Sequence, residues 1–208
     1  MSGPITVSQV RLVLASGSPR RRDLITEMGY AADLLPADVD EWNATDEGPT
    51  EVVLHNARLK AGWAAERRPA QPVLGSDTVV ALGDELLHKP ADLAEACSML
   101  LRLAGQTHVV HTAVSLQWRE QGVEENFVET SRVVFKAFDA AVAERYFEIV
   151  DPLDKAGAYG IQHEAGRDLI LDHWEGSVDN IMGLPTECLA ATFERLGWAK
   201  RLTRHKAI

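Results

Sequence analysis

Leu12-Val13-Leu14-Ala15-Ser16-Gly17-Ser18-Pro19-Arg20-Arg21-Arg22-Asp23-Leu24-Ile25 is the stretch from which the chain is best read. An apolar, strand-type run from Val10 to Leu14 breaks at a small-residue turn and restarts as a helix. Ser18 is an N-cap residue type, and Pro19 falls at the first helical position, where its missing N–H costs nothing. Leu24, Ile25 and Met28 then repeat at helical spacing, and Gly29 ends the helix. Strand, turn and helix in this order place the chain in the α/β class. Three arginines occupy the first helical turn, where the macrodipole is already positive and acids are normally favoured. An anion docked on free backbone N–H groups and guanidinium forks would relieve that clustering. Arginines pointing into water would do so equally well, and spacing alone leaves both readings open.

At 208 residues the chain is one domain, or two small lobes, able to bury a sizeable core. Its 46% hydrophobic and 25% charged residues are ordinary for a globular protein. No run of eighteen or more apolar residues occurs, so no membrane partner is expected. Met1 to Gln9 lacks the basic and apolar regions of a secretory signal and is expected to be a loose tail, as is the basic segment Arg201 to Ile208. Cys97 and Cys188 both fall in apolar helical patterns, which suits buried free thiols in a reducing cytoplasm. The formal net charge of −10 argues against non-specific nucleic-acid binding. A polyphosphate would have to be met by a few concentrated cations, not by the global field.

Ala37 to Trp42 carries three acids, which composition alone makes a solvated loop. A second helix runs from Glu51 to Arg67, capped by Thr50 and stopped by Pro69, with Val52, Val53, Asn56, Leu59, Ala61 and Trp63 on one face. Lys60 lies within it and by itself reads as a solvated lysine. Pro72 to Leu82 is a buried-type strand with Asp77 near its middle. A charge buried without a partner is costly, so such an Asp marks a cleft, a metal site or a polar network, unless it merely closes a turn. Gly75 permits close approach of a ligand or of another backbone. Gly83-Asp84 is a hairpin turn, Asp92 to Ala104 a helix, and Thr107 to Arg119 and Asn126 to Phe138 are strands joined at Gln121-Gly122. His108 and His111 point to opposite strand faces and cannot chelate one metal, and no zinc-type spacing occurs. A helix from Ala140 to Val150 precedes Asp154 to Gln162, whose two glycines, lysine and amide suit either a ligand-facing loop or an ordinary turn. Asp168 to His173 has a strand pattern, Gly176 to Asn180 reads as a polar loop, and Thr186 to Leu196 is the last helix. P-loop, Rossmann and nucleophile-elbow motifs are lacking.

Leu14-Ala15-Ser16-x-Ser18-Pro19-Arg20-Arg21 resembles the signature of the Maf family, nucleoside triphosphate pyrophosphatases related in fold to the inosine triphosphate pyrophosphatases. Further segments resemble that family in order: Asp40-Glu41, Lys60-Ala61, Gly75-Ser76-Asp77-Thr78-Val79, Lys89-Pro90, Lys155 to Gln162, and Ile181-Met182-Gly183-Leu184-Pro185. The resemblance spans Leu12 to Gly197. It implies an α/β fold with a mixed, twisted sheet flanked by helices and two lobes around a central cleft. It implies cleavage of a nucleoside triphosphate between its α and β phosphates, with Asp77 catalytic. Ser18, Arg21, Lys60, Lys89 and Lys155 would bind phosphate, and Glu41 with Asp77 would hold Mg²⁺ or Mn²⁺. Whether Asp77 is the base or a metal ligand stays open. The family usually carries an acid before the lysine, where Leu59 stands here.

Three positions vary with substrate in that family, and here they are Arg20, Thr78 and Gln162. The combination resembles the subgroup acting on dTTP and UTP, with modified pyrimidine nucleotides as further candidates. Uracil and thymine present an N3–H donor beside an O4 acceptor, which an amide can match. The alternatives are a pyrophosphatase of the 7-methyl-GTP type, whose family positions are Trp, Gln and Glu, and a nucleotide-binding regulator of cell division without turnover. The acids favour the enzyme, because carboxylates beside phosphates help a mere binder only through an intervening metal. Oligomeric state is left open, a homodimer included.

Overall fold

The computed structural model describes residues 9–43 and 47–205. The tail expected ahead of Gln9 therefore lies outside the described residues. Seven strands form one sheet: β1 (Leu12–Leu14), β2 (Ala32–Leu34), β3 (Val73–Leu82), β4 (Glu85–Leu87), β5 (Thr107–Trp118), β6 (Val123–Phe135) and β7 (Leu171–Glu175). The helices are α1 (Pro19–Glu27), α2 (Pro49–Arg67), α3 (Leu93–Leu103), α4 (Ala140–Phe147), α5 (Glu164–Ile170), α6 (Val178–Ile181) and α7 (Thr186–Arg195). Strand order is β2-β1-β3-β5-β6-β7, with β4 on the open edge of β3. The sheet is mixed: β1 runs parallel to β2 and β3, and the remaining pairs are antiparallel.

β3 organises everything else. Its alternation sends Val73, Gly75, Asp77 and Val79 to one face and Leu74, Ser76, Thr78 and Val80 to the other. On the first face lies α2, with Ala61, Ala64 and Ala65 around Val73, and Val53 and Ala57 around Val79. At Gly75 the helix comes so close that an added Cβ would sit 2.4 Å from the Ala57 carbonyl oxygen. Of the two uses the sequence allowed for this glycine, the structure shows backbone approach.

On the second face, Leu74 joins a core containing Leu24 and Ile25 of α1 and Leu189 and Phe193 of α7. Val80 joins another, containing Leu100 and Leu103 of α3, Tyr146 of α4 and Ile170 of α5. These cores are the two lobes, and Ser76 and Thr78 lie between them. The sheet edge is interrupted at the same level. β1 borders β3 only at Val73 and Leu74, and β4 borders it only from Val80 to Leu82. Among the described residues, Gly75 to Val79 thus has β5 on one side and no strand on the other. The cleft is a break in both the core and the sheet edge.

Several local expectations are corrected. α2 starts at Pro49 with Gly48 as N-cap, so Thr50 lies inside the helix instead of capping it. The stretch read as one strand from Asp168 is split: α5 continues to Ile170, and β7 begins at Leu171. The polar segment Gly176 to Asn180 winds into α6, whose N-cap Ser177 accepts from the Asn180 N–H. The segment from Arg201 is docked as far as it is described. Leu202 is buried and pairs with Val10, Arg201 lies over the Trp118 ring, and Arg204 lies over the Tyr30 ring. Stacking on aromatic faces, with their negative quadrupole, is what holds these arginines in. Cys97 is half-buried and Cys188 exposed, because α7 turns Leu189, Thr192 and Phe193 inward instead.

Candidate active site

Asp77 leaves β3 on the α2 face, where Asn56 and Lys60, one helical turn apart, meet it. Lys60 Nζ stands 2.7 Å from Asp77 Oδ1 and 2.9 Å from Glu41 Oε1. Asn56 Nδ2 donates to Asp77 Oδ2 at 3.2 Å and to the Trp42 carbonyl at 3.0 Å, while its Oδ1 accepts from the Trp42 N–H at 2.8 Å. One amide therefore ties the Asp40-Glu41-Trp42 loop to the helix and to the buried acid. Lys60 and Asp77 are both only 8% exposed, which makes their pairing a requirement and not an ornament. With Leu59 beside it, Lys60 finds its acids in two other segments.

The carboxylates of Glu41 and Asp77 converge on the position of one ammonium. Two oxygen donors so placed fit Mg²⁺ or Mn²⁺, which take few protein carboxylates and complete their shell with water and phosphate. Among the described residues no group of three or more His, Cys, Asp or Glu gathers anywhere as a fuller cage.

Across the cleft stands the start of α1. Ser18 occupies the N-cap position with extended backbone, yet its hydroxyl makes no capping bond, and its N–H goes to Ser16 Oγ at 3.2 Å. Arg21 donates from Nε to the Gly183 carbonyl (2.7 Å), from Nη1 to Ser16 Oγ (3.2 Å) and from Nη2 to Thr78 Oγ1 (2.9 Å). Two of its five N–H groups remain for a ligand. Burial lowers the Arg21 pKa, against the pull of Asp77. Lys89, just after β4, lines the cleft with no hydrogen-bond or ion-pair partner among the described residues. Burial and then the neighbouring Arg21 charge lower its pKa, so phosphate would relieve both residues.

Arg20 and Lys155 also line the cleft but are clamped together by Asp154. Arg20 donates from Nη1 to Asp154 Oδ2 at 2.7 Å and from Nη2 to the Asp154 carbonyl at 3.2 Å, and Lys155 Nζ bonds the other carboxylate oxygen. Burial pushes the Asp154 carboxyl up, and the Lys155 and Arg20 charges outweigh it, leaving it below the ordinary aspartate range. Arg22 points outward to exposed Asp23. Of the three arginines at the first turn, one is solvated.

The loop from Lys155 to Gln162 is fixed from beneath. Tyr146, fully buried on α4, places its hydroxyl 2.8 Å from both the backbone N and O of Gly160, and the Tyr159 hydroxyl lies 2.8 Å from His108 Nε2. Burial pushes both tyrosine pKa values up and His108 down to about 3. Ala158, at φ 63°, is the only non-glycine among the described residues with positive φ, a strained conformation held by these anchors. Gln162 sits exposed at the mouth. The cleft is lined by a polar and charged set (Ser18, Arg21, Lys60, Asp77, Lys89), by apolar Val80, Val110, Ile181 and Met182, and by Thr78. Glu41 borders an adjoining cavity beneath Ala15 to Pro19.

A family model described as Maf-like protein matches residues 11–196, the same span that builds this cleft. The chain belongs to the Maf family. Proteins named dTTP/UTP pyrophosphatase from Myxococcus xanthus, Vibrio cholerae and Cupriavidus pinatubonensis are 43%, 42% and 45% identical to it. The alignments cover 93%, 84% and 84% of this chain and 96%, 92% and 90% of theirs. A solved Vibrio cholerae protein is similar over 68% of each chain at 13% identity, with a TM-score of 0.32, a likeness too remote to bear on the site.

In this Maf protein the residues singled out from the sequence do meet, but in different states of engagement. Ser18 and Lys89 are uncommitted, Arg21 is partly committed, and Lys60, Lys155 and Arg20 are ion-paired. Sequence reasoning missed Asn56, Asp154 and Thr112, the last a buried β5 residue whose hydroxyl lies 3.0 Å from Thr78 Oγ1 and donates to the Asn180 carbonyl. Asn56 had a signal, as an amide on the buried face of a helix four residues before Lys60. Thr112 had none, since a threonine in a strand is ordinary.

Proposed function

We propose that this protein hydrolyses dTTP and UTP between the α and β phosphates, releasing the monophosphate and pyrophosphate. The observation that carries the reading is the union of Asp77 with Arg21, Lys60 and Lys89 in one cleft, whose lining also includes Val80, Val110, Ile181 and Met182. Displacement at phosphorus needs positive charge on the phosphate oxygens and a water held in line with the leaving group. Lys89, Lys60, the Ser18 hydroxyl and the two spare N–H groups of Arg21 bind the phosphates. Asp77 takes the proton of the attacking water, and Lys60 shares its charge between the two acids and the incoming phosphate. Glu41 and Asp77 would hold Mg²⁺ or Mn²⁺ through carboxylate lone pairs that Lys60 leaves open, and the ion would supply charge neutralisation on the phosphate oxygens. Lys155, held with Arg20 by Asp154, binds phosphate as well, and Arg20, Thr78 and Gln162 select the base. The relatives named dTTP/UTP pyrophosphatase support the pyrimidine assignment. No helix among the described residues is long and apolar enough to cross a membrane, and we place the enzyme in the cytoplasm.

The test is pyrophosphate release from dTTP, UTP, CTP, GTP and 7-methyl-GTP with Mg²⁺, Mn²⁺ or EDTA. Pyrimidine kcat/KM should exceed that of either guanine nucleotide by about ten-thousandfold, because a mismatched base leaves polar groups of the pocket unpaired. EDTA should abolish turnover and leave the melting temperature unchanged. Preference for a guanine nucleotide would overturn the substrate, and tight binding without turnover would favour a regulator.

A further inference from the structure

Gln162 by itself cannot tell uracil from cytosine. Its amide has no hydrogen-bond partner among the described residues, and turning it over exchanges donor for acceptor. An amide so free pairs as well with a bare N3 beside an amino group as with an N3–H beside O4. Discrimination between the two pyrimidines needs a group of fixed polarity, and the cleft contains one.

The hydrogens around Thr78 can be assigned by counting. Thr112 Oγ1, across the β3–β5 pair, donates to the Asn180 carbonyl at 2.9 Å, and a carbonyl can only accept. The single Thr112 hydrogen is thereby spent. In the 3.0 Å contact between the two hydroxyls, Thr78 must therefore be the donor. Arg21 Nη2, which only donates, takes one lone pair of Thr78 Oγ1 at 2.9 Å. One lone pair is left, so Thr78 meets a ligand as an acceptor and nothing else. The chain is well held: Thr112 and Asn180 are fully buried, and Asn180 Nδ2 is fastened to the Val110 carbonyl (3.2 Å) and to Ser131 Oγ (2.9 Å).

We infer that Thr112 is a positioning residue for base selection: with the Asn180 carbonyl, it locks the Thr78 hydroxyl as an acceptor. Set opposite ring position 3 of the base, the locked acceptor selects the N–H of uracil or thymine over cytosine, whose N3 is a bare acceptor and whose donor on that edge is the amino group at position 4. This rests on the pyrimidine triphosphate reading above and adds the element that makes it specific.

The experiment compares kcat/KM for UTP and CTP in the wild type, Thr112→Val and Thr112→Ser. The wild type should favour UTP. Thr112→Val frees the Thr78 hydrogen to swing into the cleft, and the CTP-to-UTP ratio should rise at least tenfold, mainly through KM. Thr112→Ser keeps the hydroxyl and should keep the wild-type ratio, which a packing role for the methyl group would not predict. A folded Thr112→Val protein with an unchanged ratio overturns the lock, as does a Ser variant as permissive as Val. If Thr112→Val does not fold, Thr78→Val decides, since full retention of UTP preference there is equally fatal. A wild type inactive on both pyrimidines sinks the functional reading instead. Equilibrium binding of UMP and CMP to the wild type and Thr112→Val then tests the lock alone, and equal UMP preference in the two proteins refutes it.

Discussion

Asp77 owes its surroundings to two α2 side chains and one loop residue, and its predicted behaviour follows from them. Asp77→Asn keeps the shape and the contact with Asn56 but removes the proton acceptor. Turnover of UTP should fall at least about a hundredfold, the scale of losing a general base, with the circular dichroism spectrum unchanged. Near-normal turnover in the folded variant would remove Asp77 from the reaction. His108 affords a prediction about stability. It is buried as neutral imidazole against Tyr159, with its pKa lowered by burial to about 3, against 6.5 in the unfolded chain. Between those values the unfolded chain binds a proton that the native state refuses. The contribution is therefore full above pH 6.5 and is lost as pH falls toward 3. Its slope is about 1.4 kcal/mol per pH unit once the unfolded imidazole is protonated. His108→Gln should flatten the decline of melting temperature between pH 6 and 4 relative to the wild type, and parallel curves would contradict the assignment.

At the scale of elements, the packing of α2 on β3 is what brings Lys60 to Asp77. That contact is made at Gly75, where a Cβ would collide with the backbone of α2. Gly75→Ala must push helix and strand apart and should cost more than about 3 kcal/mol, the range of severe core lesions. Gly122, in the β5–β6 turn at φ 61°, has nothing within 4 Å of an added Cβ. Gly122→Ala should cost only the left-handed backbone penalty of about 1 kcal/mol. Urea midpoints of the two variants measure the difference, and similar shifts would mean that α2 can yield. Elements with strong local signals were readable without the fold: Pro19 opens α1, the helix expected from Asp92 to Ala104 is α3, and Gly83 turns β3 into β4. The boundary between α5 and β7 was not, because Asp168 to His173 is apolar at both periods and only packing arbitrates. Ile170 and Leu171 both enter the core of the second lobe, one from the helix and one from the strand.

Across the whole molecule, two cores on one face of a single sheet leave the cleft between them, and each must hold for the site to exist. The first depends on residues beyond the last helix: Trp198 and Leu202 are each 1% exposed and pack with Phe193 and Leu12. Ending the chain at Gly197 removes both. Large-to-small losses at such sites cost about 2–5 kcal/mol each, a large part of the roughly 5–15 kcal/mol that stabilises a domain. The truncated protein should melt more than about 10 °C lower or be recovered unfolded, and an unchanged melting temperature would show the segment to be dispensable. By itself the sequence determined the α/β class, most of the strands and helices, and the residue types that assemble in the cleft. Those depend on neighbours a few positions apart, through capping, periodicity and turn chemistry. Only the tertiary structure decided which charges meet. Lys60 and Asp77 are 17 residues apart in the chain, and Arg20 and Asp154 are 134 apart. It alone also decided the direction of the Thr78 hydroxyl. Ion pairing and hydrogen-bond polarity are through-space properties, settled by groups from several segments competing for the same few hydrogens.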